Sequence, residues 1–414
     1  MKTLHLQPTV PHYMQTFRCI GADCPENCCH GWRIDIDEQT YKKYQKVAIY
    51  PLAKKLQTVL QPSAQPSRST YAVMQMQADG RCTMLDQDGL CEIHAKLGSD
   101  HLSDTCMHYP RVFSSVHDKL YCFSTLSCPA AADLALRQPD SMTMAVMDMS
   151  IPGKAEIPLE NILDFKQHPH VALEFLEPIQ EVAALVVRHP ELSAAEAMVV
   201  LSLMVQKLAR HFAEPDPATA RTALARTLTD FCRPAYCLEA RDVMAQAPRQ
   251  LSARLTLLKG ITLKYLQERK GRPTFMETLA QAARGLHLDA ADQAEAEQSC
   301  LVAERDWFEP FDRRHPHLLK NYLLNEFGKN NFPVGKSLDI ETEFTSLAVR
   351  FALIRLYLIG IAGDRREAFD EQDYVRLVYR FVRNLEHGSF FVDTLNAMAQ
   401  QGYGGLAAAV ILLR

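Results

Sequence analysis

The chain has 414 residues, of which 47% are hydrophobic and 23% are charged, the composition of a folded globular protein with a sizeable core. This composition excludes a disordered or collagen-like chain, and the length favours two or three domains. The formal net charge of −4 excludes an overall basic surface for nucleic acid.

The first third of the chain is rich in cysteine. Nine of the twelve cysteines precede residue 129, and turn-forming residues such as Gly31 separate them. We see no secretory signal and expect a cytoplasmic protein, in which metal-bound thiolates explain this crowding better than disulfides. We therefore predict an irregular, cysteine-rich metal-binding domain over residues 1–135, with one helix at about Glu38–Leu60.

Beyond residue 135 the apolar residues recur at helical spacing. Ser193–Glu196 and Thr274–Glu277 have the pattern of a capping box, and Asp216-Pro217 is typical of a helix start. Strand patterns are nearly absent after residue 150. The predicted fold class is therefore mainly α, with a helical domain over residues 136–414 that can divide into two subdomains near 270–290.

The most apolar helical run is Phe344–Ala362, and it contains Arg350 and Arg355. Charged residues are rare and costly in a helix that crosses a lipid bilayer. We therefore expect a core helix here and no membrane partner.

The N-terminal thiols form three groups, with turn residues between them. The tight turn at Asp88-Gly89 predicts that the cysteines on either side of it approach each other. The groups are Cys19, Cys24, Cys28 and Cys29; then Cys82, Cys91 and Cys106; and finally Cys128. Soft thiolates select zinc, copper(I) or iron–sulfur clusters, and four of them suit zinc as well as a 4Fe–4S cluster.

The remaining cysteines have no such setting. Buried free cysteine is common in protein cores, and this is our interpretation of Cys232, Cys237 and Cys300. No feature of the sequence around Cys122 requires that this cysteine bind a metal.

These motifs resemble a known family. The run Cys19–Trp32 resembles the opening of the bacterial flagellin lysine-N-methylase family, and Cys82–Arg111 resembles both that family and the broader family of zinc- or iron-chelating cysteine-rich domains. The likeness spans most of the chain and is weak between about 150 and 300. It continues in Leu126–Pro129, Lys320–Glu326, Asn331–Pro333 and Phe381–His387.

The resemblance implies transfer of methyl groups from S-adenosylmethionine to lysine ε-amines of flagellin, in the cytoplasm of a flagellated bacterium. It also implies an N-terminal 4Fe–4S cluster, with zinc as the alternative. Eight matching thiols exceed the four that one cluster needs, so a second metal site is an option. The matching thiols are Cys19, Cys24, Cys28, Cys29, Cys82, Cys91, Cys106 and Cys128.

Methylation of lysine requires a neutral amine, whereas aqueous lysine has a pKa of about 10.4. A lysine channel therefore suits carboxylates and aromatic walls, and the densest such stretch is Glu304–Glu309, followed by Tyr322 and Glu326. Because Tyr322 and Glu326 are four residues apart, they share one helix face, and we take them as candidate catalytic residues.

The sequence does not locate the S-adenosylmethionine site. No G-x-G-x-x-G follows a strand, and the C-x₃-C-x₂-C spacing of radical S-adenosylmethionine enzymes fails at Gly31. Two alternatives to a methyltransferase stay open: a non-enzymatic metal-binding adaptor with a structural cysteine-rich domain, and a redox protein whose cluster carries electrons.

Overall fold

The structure is a computed structural model, and it is mainly helical, as predicted. It divides into two compact units: the head, Met1–Ala131 with Thr143–Ile162, and the body, Ala132–Met142 with Leu163–Arg414. The residues that the structure describes are 3–152, 154, 156–164, 166, 170–246, 250–268, 272–288, 293–335, 339–386, 390–400 and 405–413.

The head combines short strands with short helices. The strands are β1 Thr3–Leu6, β2 Thr9–Pro11, β3 Asp35–Ile36, β4 Leu60–Pro62, β5 Ala72–Met74, β6 Arg111–Val116, β7 Lys119–Ser124, β8 Met144–Val146, β9 Met149–Pro152 and β10 Asn161–Leu163. The helices are α1 His12–Thr16, α2 Glu38–Tyr44, α3 Leu52–Val59, α4 Glu92–Leu97 and α5 Asp104–His108. The strands form a five-stranded sheet (β10-β6-β7-β2-β8), a three-stranded sheet (β3-β5-β4) and the pair β1-β9.

Two expectations for the head are corrected. The domain is not irregular, because three small sheets organise it; strands of two to six residues are too short to give a clear alternating pattern. The single helix expected at Glu38–Leu60 is two helices, since α2 ends at Tyr44 and α3 begins only after Pro51. Proline lacks the N–H that a continuous helix requires.

The three-stranded sheet and the helices beside it enclose an apolar core, in which Ile36, Leu56 and Met74 are each at most 3% exposed. Cys29, Cys91 and Cys106 are partly buried against this core. The core therefore gives three of the predicted ligands a fixed support.

The body consists of helices. They are α6 Pro129–Arg137, which begins in the head, α7 Val171–Glu174, α8 Leu176–Arg188, α9 Ala194–Phe212, α10 Pro217–Phe231, α11 Pro234–Ala245, α12 Leu251–Glu268, α13 Pro273–Gly285, α14 Gln293–Ala303, α15 Glu309–Arg314, α16 His317–Asn330, α17 Ile340–Arg365, α18 Glu371–Phe381, α19 Phe390–Gln400 and α20 Gly405–Leu413. A π-helical turn, Glu304–Phe308, joins α14 to α15, and a second, Val382–Glu386, extends α18.

Local capping explains several of the helix starts. Ser193 and Glu196 form the predicted capping box of α9, and Asp216 caps α10, whose first residue is proline. The box predicted at Thr274–Glu277 is wrong: α13 begins at Pro273 without a side-chain cap, because proline is pre-organised for the first helical position.

The central helix α17 is long and apolar enough to cross a membrane, yet 83% of its most apolar window is buried inside the protein. It crosses α13 so closely that a Cβ atom added to Gly360 would lie 2.3 Å from the carbonyl oxygen of Ala282. Its position and its ion-paired arginines are those of a core helix, as expected from the sequence.

Candidate functional site

Five thiols of the head lie in one neighbourhood beside the apolar core. The Sγ atoms of Cys28 and Cys29 are 4.0 Å apart, and the amide of Cys82 donates to the carbonyl oxygen of Cys29 over 2.8 Å. Burial, with the negative charge of the Cys91, Cys28 and Cys82 thiolates, raises the pKa of Cys106 to about 12. Crowded thiolates of this kind are stabilised by a bound cation.

Of the other three predicted ligands, Cys19 and Cys24 lie on either side of a short 3-10 helix, Gly21–Asp23, and Cys128 directly precedes α6. Burial and the thiolates of Cys24 and Cys28 raise the pKa of Cys128 to about 11, although backbone N–H groups at the start of α6 act in the opposite direction. Cys19 and Cys128 both act electrostatically on the partly buried guanidinium of Arg111. Arg111 is thus a fixed positive charge beside these thiols.

The geometry of a zinc site gives a measure against which the spacing of the thiols can be compared. A closed tetrahedral zinc site has Zn–S bonds of about 2.3 Å, which place its sulfurs about 3.8 Å apart. In the described parts of the chain, no three thiols lie within 4.8 Å of one another, and all twelve cysteines are free of disulfides. The donor set consists of soft thiolates, which suit zinc as well as an iron–sulfur cluster.

Cys122 differs from the eight cysteines that are predicted to bind a metal. It is fully buried in β7, where burial raises its pKa to about 12. Its environment is that of an apolar core residue.

The two candidate catalytic residues, Tyr322 and Glu326, lie on α16 in a buried charge network. Glu326 is 1% exposed. One of its oxygens is 2.6 Å from Lys329 Nζ, and the other is 3.1 Å from Arg350 Nη1. Glu386 completes the network, with one oxygen 3.1 Å from Lys329 Nζ and 3.6 Å from Arg350 Nη1.

This network balances two cations against two carboxylates. Burial alone would lower the pKa of Lys329, but Glu326 and Glu386 outweigh it and the pKa is raised; the same balance raises the pKa of Arg350. Burial and the two carboxylates hold the pKa of the Tyr322 hydroxyl well above its ordinary value. Tyr322 and Glu326 therefore contribute to a closed, mutually neutralising cluster. His387, the last residue of the motif that contains Glu386, lies outside the described residues.

A cavity of about 770 Å³ opens in the body between the start of α9, the π-helical turn Glu304–Phe308, α15 and α17. Its size is typical of ligand sites. Its lining carries six carboxylates and three guanidinium groups, an excess of three negative charges when all are ionised. They are Glu191, Glu196, Asp242, Glu304, Glu309 and Asp312, with Arg241, Arg313 and Arg355.

Asp312 is the carboxylate of this cavity with the most distinctive environment. Burial raises its pKa, and the opposing hydrogen bond from Tyr374 and the charge of Arg355 do not cancel that effect. The Tyr374 hydroxyl donates to Asp312 Oδ1 over 3.0 Å, and the Tyr374 ring stacks on Phe308, which lines the cavity. Asp312 is thus a positioned carboxylate with raised basicity beside an aromatic wall.

Glu304 and Arg355 form an ion pair at the same cavity. The guanidinium of Arg355 also lies 5.4 Å from the centroid of the Phe308 ring. This pair fixes one wall, so that the remaining carboxylates determine the charge that the cavity presents.

Another cavity of the body, about 760 Å³ in volume, has the opposite character. Its lining includes Lys207, Arg210 and Arg226 against the single carboxylate of Asp230. A lysine side chain would be repelled there, so the acidic cavity suits it better.

Asp312 and the ion pairs of Arg350 are not among the features predicted from the sequence. Asp312 precedes the predicted catalytic pair by ten residues, and no local motif marks it. The sequence did contain a signal for the charge network, because two arginines inside an apolar helix must pair with buried carboxylates. In the structure the partner of Arg355 is Glu304. The partners of Arg350 are Glu326 and Glu386.

Comparison with known proteins identifies relatives. The chain is 32% identical over 143 residues to a flagellar biosynthetic protein FliU of Salmonella muenchen, covering 33% of this chain and 80% of that protein. It is 31% identical over 141 residues to a lysine-N-methylase of Salmonella choleraesuis strain SC-B67, and 31% identical over 144 residues to a lysine-N-methylase of Salmonella typhimurium strain LT2. Each of these two alignments covers 33% of this chain and 34% of the relative, so the match spans about a third of both methylases.

No solved structure matches the chain. The family model of the FliB lysine N-methylase C-terminal domain matches residues 181–412, more than half of the sequence. This segment contains the buried charge network and every lining residue of the acidic cavity except Leu413. The chain therefore belongs to the lysine N-methylase family that its cysteine motifs resemble.

Proposed function

We propose that this protein is a protein lysine N-methyltransferase that transfers methyl groups from S-adenosylmethionine to ε-amino groups of flagellin lysines. The observation that carries the proposal is the acidic, aromatic-walled cavity inside the segment that matches the family's C-terminal domain. An excess of negative charge attracts a lysine ammonium group and equally suits the sulfonium of the methyl donor.

The central step is deprotonation of the substrate lysine. In water its pKa of about 10.4 keeps the amine protonated. In the cavity, desolvation against Phe308 lowers that pKa while the nearby carboxylates raise it, so the transfer requires a base. Asp312 accepts the proton: burial raises its pKa, which brings donor and acceptor closer in proton affinity. Tyr374 holds Asp312 in position by donating to Oδ1.

S-adenosylmethionine supplies a methyl group already activated by a sulfonium, so that orientation of the free lone pair toward it accounts for much of the acceleration. The side chain of Phe308 forms an apolar wall at the cavity, against which the lysine methylenes pack. The Glu304–Arg355 pair restrains this wall.

The head is proposed to hold a 4Fe–4S cluster. The residues that would bind it come from Cys19, Cys24, Cys28, Cys29, Cys82, Cys91, Cys106 and Cys128, and a thiolate-bound cluster would supply a fixed inorganic anchor for the short elements around it. The number of thiols, twice what one zinc ion binds, supports a cluster, and Arg111 would offset part of the negative charge of the thiolates nearby.

Flagellin as the substrate rests on the relatives. One is named as a flagellar biosynthetic protein and two as lysine-N-methylases. A protein that modifies flagellin before export acts in the cytoplasm, and we propose that location for this one.

The test is incubation of anaerobically purified protein with flagellin and isotopically labelled S-adenosylmethionine, followed by mass mapping of flagellin peptides. Label on lysine is expected from the wild-type protein. Asp312→Asn should lower the rate by roughly 10²- to 10⁴-fold, the usual contribution of a general base. Asp306→Asn is the matched control, because Asp306 is exposed and pairs only with its neighbour Arg305 among the described ion pairs.

The outcomes separate the parts of the proposal. Wild-type protein with an intact cluster that transfers no label contradicts the methyltransferase function and favours the adaptor. An Asp312→Asn variant that is as active as the wild type contradicts only the assignment of Asp312 as the base. A protein that is colourless, loaded with zinc and active contradicts only the proposal of a 4Fe–4S cluster.

A further inference from the structure

A second group of metal-ligating side chains lies in the body, apart from the cysteines. Ligand atoms of His315, His317 and Glu371 lie within 4.8 Å of one another, the one such triplet in the described residues. His315 follows α15, His317 opens α16 and Glu371 opens α18. We propose that these three residues bind one divalent first-row transition-metal ion.

The contact between His315 and Glu371 already has the dimension of a metal site. His315 Nδ1 is 2.9 Å from Glu371 Oε1. Two ligands at about 2.1 Å from an ion and at right angles to each other are separated by about 3 Å. An ion can therefore bind both atoms without a large movement of either chain segment.

The surroundings select the ligand atom of His317. Its Nε2 lies 3.1 Å from the carbonyl oxygen of Arg137, and because a carbonyl only accepts, Nε2 carries the proton. Nδ1 then keeps its lone pair for a metal. A histidine ligand that donates its other N–H to a backbone carbonyl is the usual arrangement in metalloproteins.

Arg137 also orients the carboxylate. Its Nε donates to Glu371 Oε2 over 2.9 Å, which leaves Oε1 toward His315. The guanidinium charge is shared with Asp133, 3.2 Å from Arg137 Nη1, so the two carboxylates outweigh the one cation. The imidazole of His315 is fixed by stacking on Phe311, with ring centroids 4.4 Å apart.

Two imidazoles and one carboxylate favour zinc, iron(II) and related ions over magnesium or calcium. The side chains of His315 and Glu371 are 30% and 25% exposed, so water can occupy the remaining coordination positions. Three protein ligands with open positions are the pattern of a reactive metal site rather than a closed structural one.

The test uses Co²⁺ as the probe, titrated into the intact, anaerobically purified protein and followed by visible absorption. Co²⁺ bound to imidazole and carboxylate gives ligand-field bands without the intense thiolate-to-metal charge transfer that binding in the head would produce. One equivalent with such a thiolate-free spectrum is expected for the wild-type protein and for Cys28→Ser.

Four variants decide the assignment. His317→Ala and Glu371→Gln should lose the thiolate-free bands, and Arg137→Gln, which removes only an orienting contact, should weaken Co²⁺ binding by about 10- to 100-fold. Glu295→Gln is the control and should bind Co²⁺ as the wild type does. Glu295 pairs with the exposed His287 at 3.5 Å and belongs to no group of three metal-ligating side chains among the described residues.

Each altered side chain is partly exposed, and circular dichroism verifies that the variants keep their helices. The proposal is wrong if the wild-type protein shows no thiolate-free bands, or if His317→Ala and Glu371→Gln both retain them. In either case the three residues form only a hydrogen-bonded surface cluster. This readout does not depend on methyl transfer, so its failure leaves the proposed function untouched.

Discussion

Replacing Arg350 by methionine should destabilise the body strongly. Arg350 lies on α17 with a side chain only 11% exposed, and its Nη1 is 3.1 Å from Glu326 and 3.6 Å from Glu386. Methionine keeps the length and apolar volume of the arginine stem but removes its charge. Two buried carboxylates then face the single ammonium group of Lys329.

The size of the effect follows from burial. Removing one partner of a buried ion pair costs about 3–5 kcal/mol, because the remaining charge has neither water nor a counterion. For a unit of this size each 1 kcal/mol lowers the unfolding midpoint by about 2–4 °C, so we expect a fall of roughly 6–20 °C. Restoring the charge balance with Glu386→Gln on the same chain should recover part of that loss.

Thermal unfolding followed by far-ultraviolet circular dichroism measures the effect, since the body holds most of the helices. The matched control is Arg221→Met, which breaks the pair with Glu174, whose side chains are 47% and 32% exposed. Such a surface pair is worth at most about 1 kcal/mol. Equal midpoints for the Arg350 and Arg221 variants would refute the argument that burial sets the cost.

Three further predictions concern other parts of the molecule. Gly360→Ala should destabilise the body, because the new Cβ would lie 2.3 Å from a backbone oxygen of α13. A Cβ added at Gly260 meets nothing within 4 Å, so Gly260→Ala should stabilise α12 by up to about 1 kcal/mol. The midpoints of urea unfolding of the two variants measure both effects. Burial raises the pKa of Asp312 in the folded state. The free energy of unfolding of the wild type should therefore rise relative to that of Asp312→Asn as the pH falls through this pKa toward about 3.9, the value in the unfolded chain. A difference in unfolding free energy between the two proteins that is constant with pH would contradict this. Cys28→Ser should lose metal and soluble yield together, while Cys122→Ala should keep its metal, as elemental analysis of both proteins will report.

The helical body was largely predictable because its signals are local. The capping box of Ser193 and the Asp216-Pro217 start depend on residues within one helical turn, and both predicted starts are confirmed. The failure at Thr274 has the same origin, since Pro273 satisfies the first helical position one residue earlier. The sheets of the head were less predictable, because their pairing joins strands far apart in the chain, such as β2 and β7.

The candidate sites depend on long-range contacts even more strongly. Tyr322 and Glu326 were chosen for their spacing on one helix face. Of the charges around Glu326 only Lys329 is local, whereas Arg350 and Glu386 lie 24 and 60 positions later in the chain. Asp312 owes its raised pKa to burial and its position to Tyr374. Neither the burial of Asp312 nor its hydrogen bond from Tyr374 leaves a pattern in the sequence around Asp312.

The two π-helical turns have a consequence for how this body tolerates change in length. Each widened turn carries a glutamate that pairs with an arginine of α17, Glu304 with Arg355 and Glu386 with Arg350. A π turn accommodates one residue more than the regular helix around it. Deleting that extra residue from either turn would restore the ordinary winding and leave the flanking helices close to their present register, so the change would fall mainly on the glutamate of the turn and on its pairing with α17.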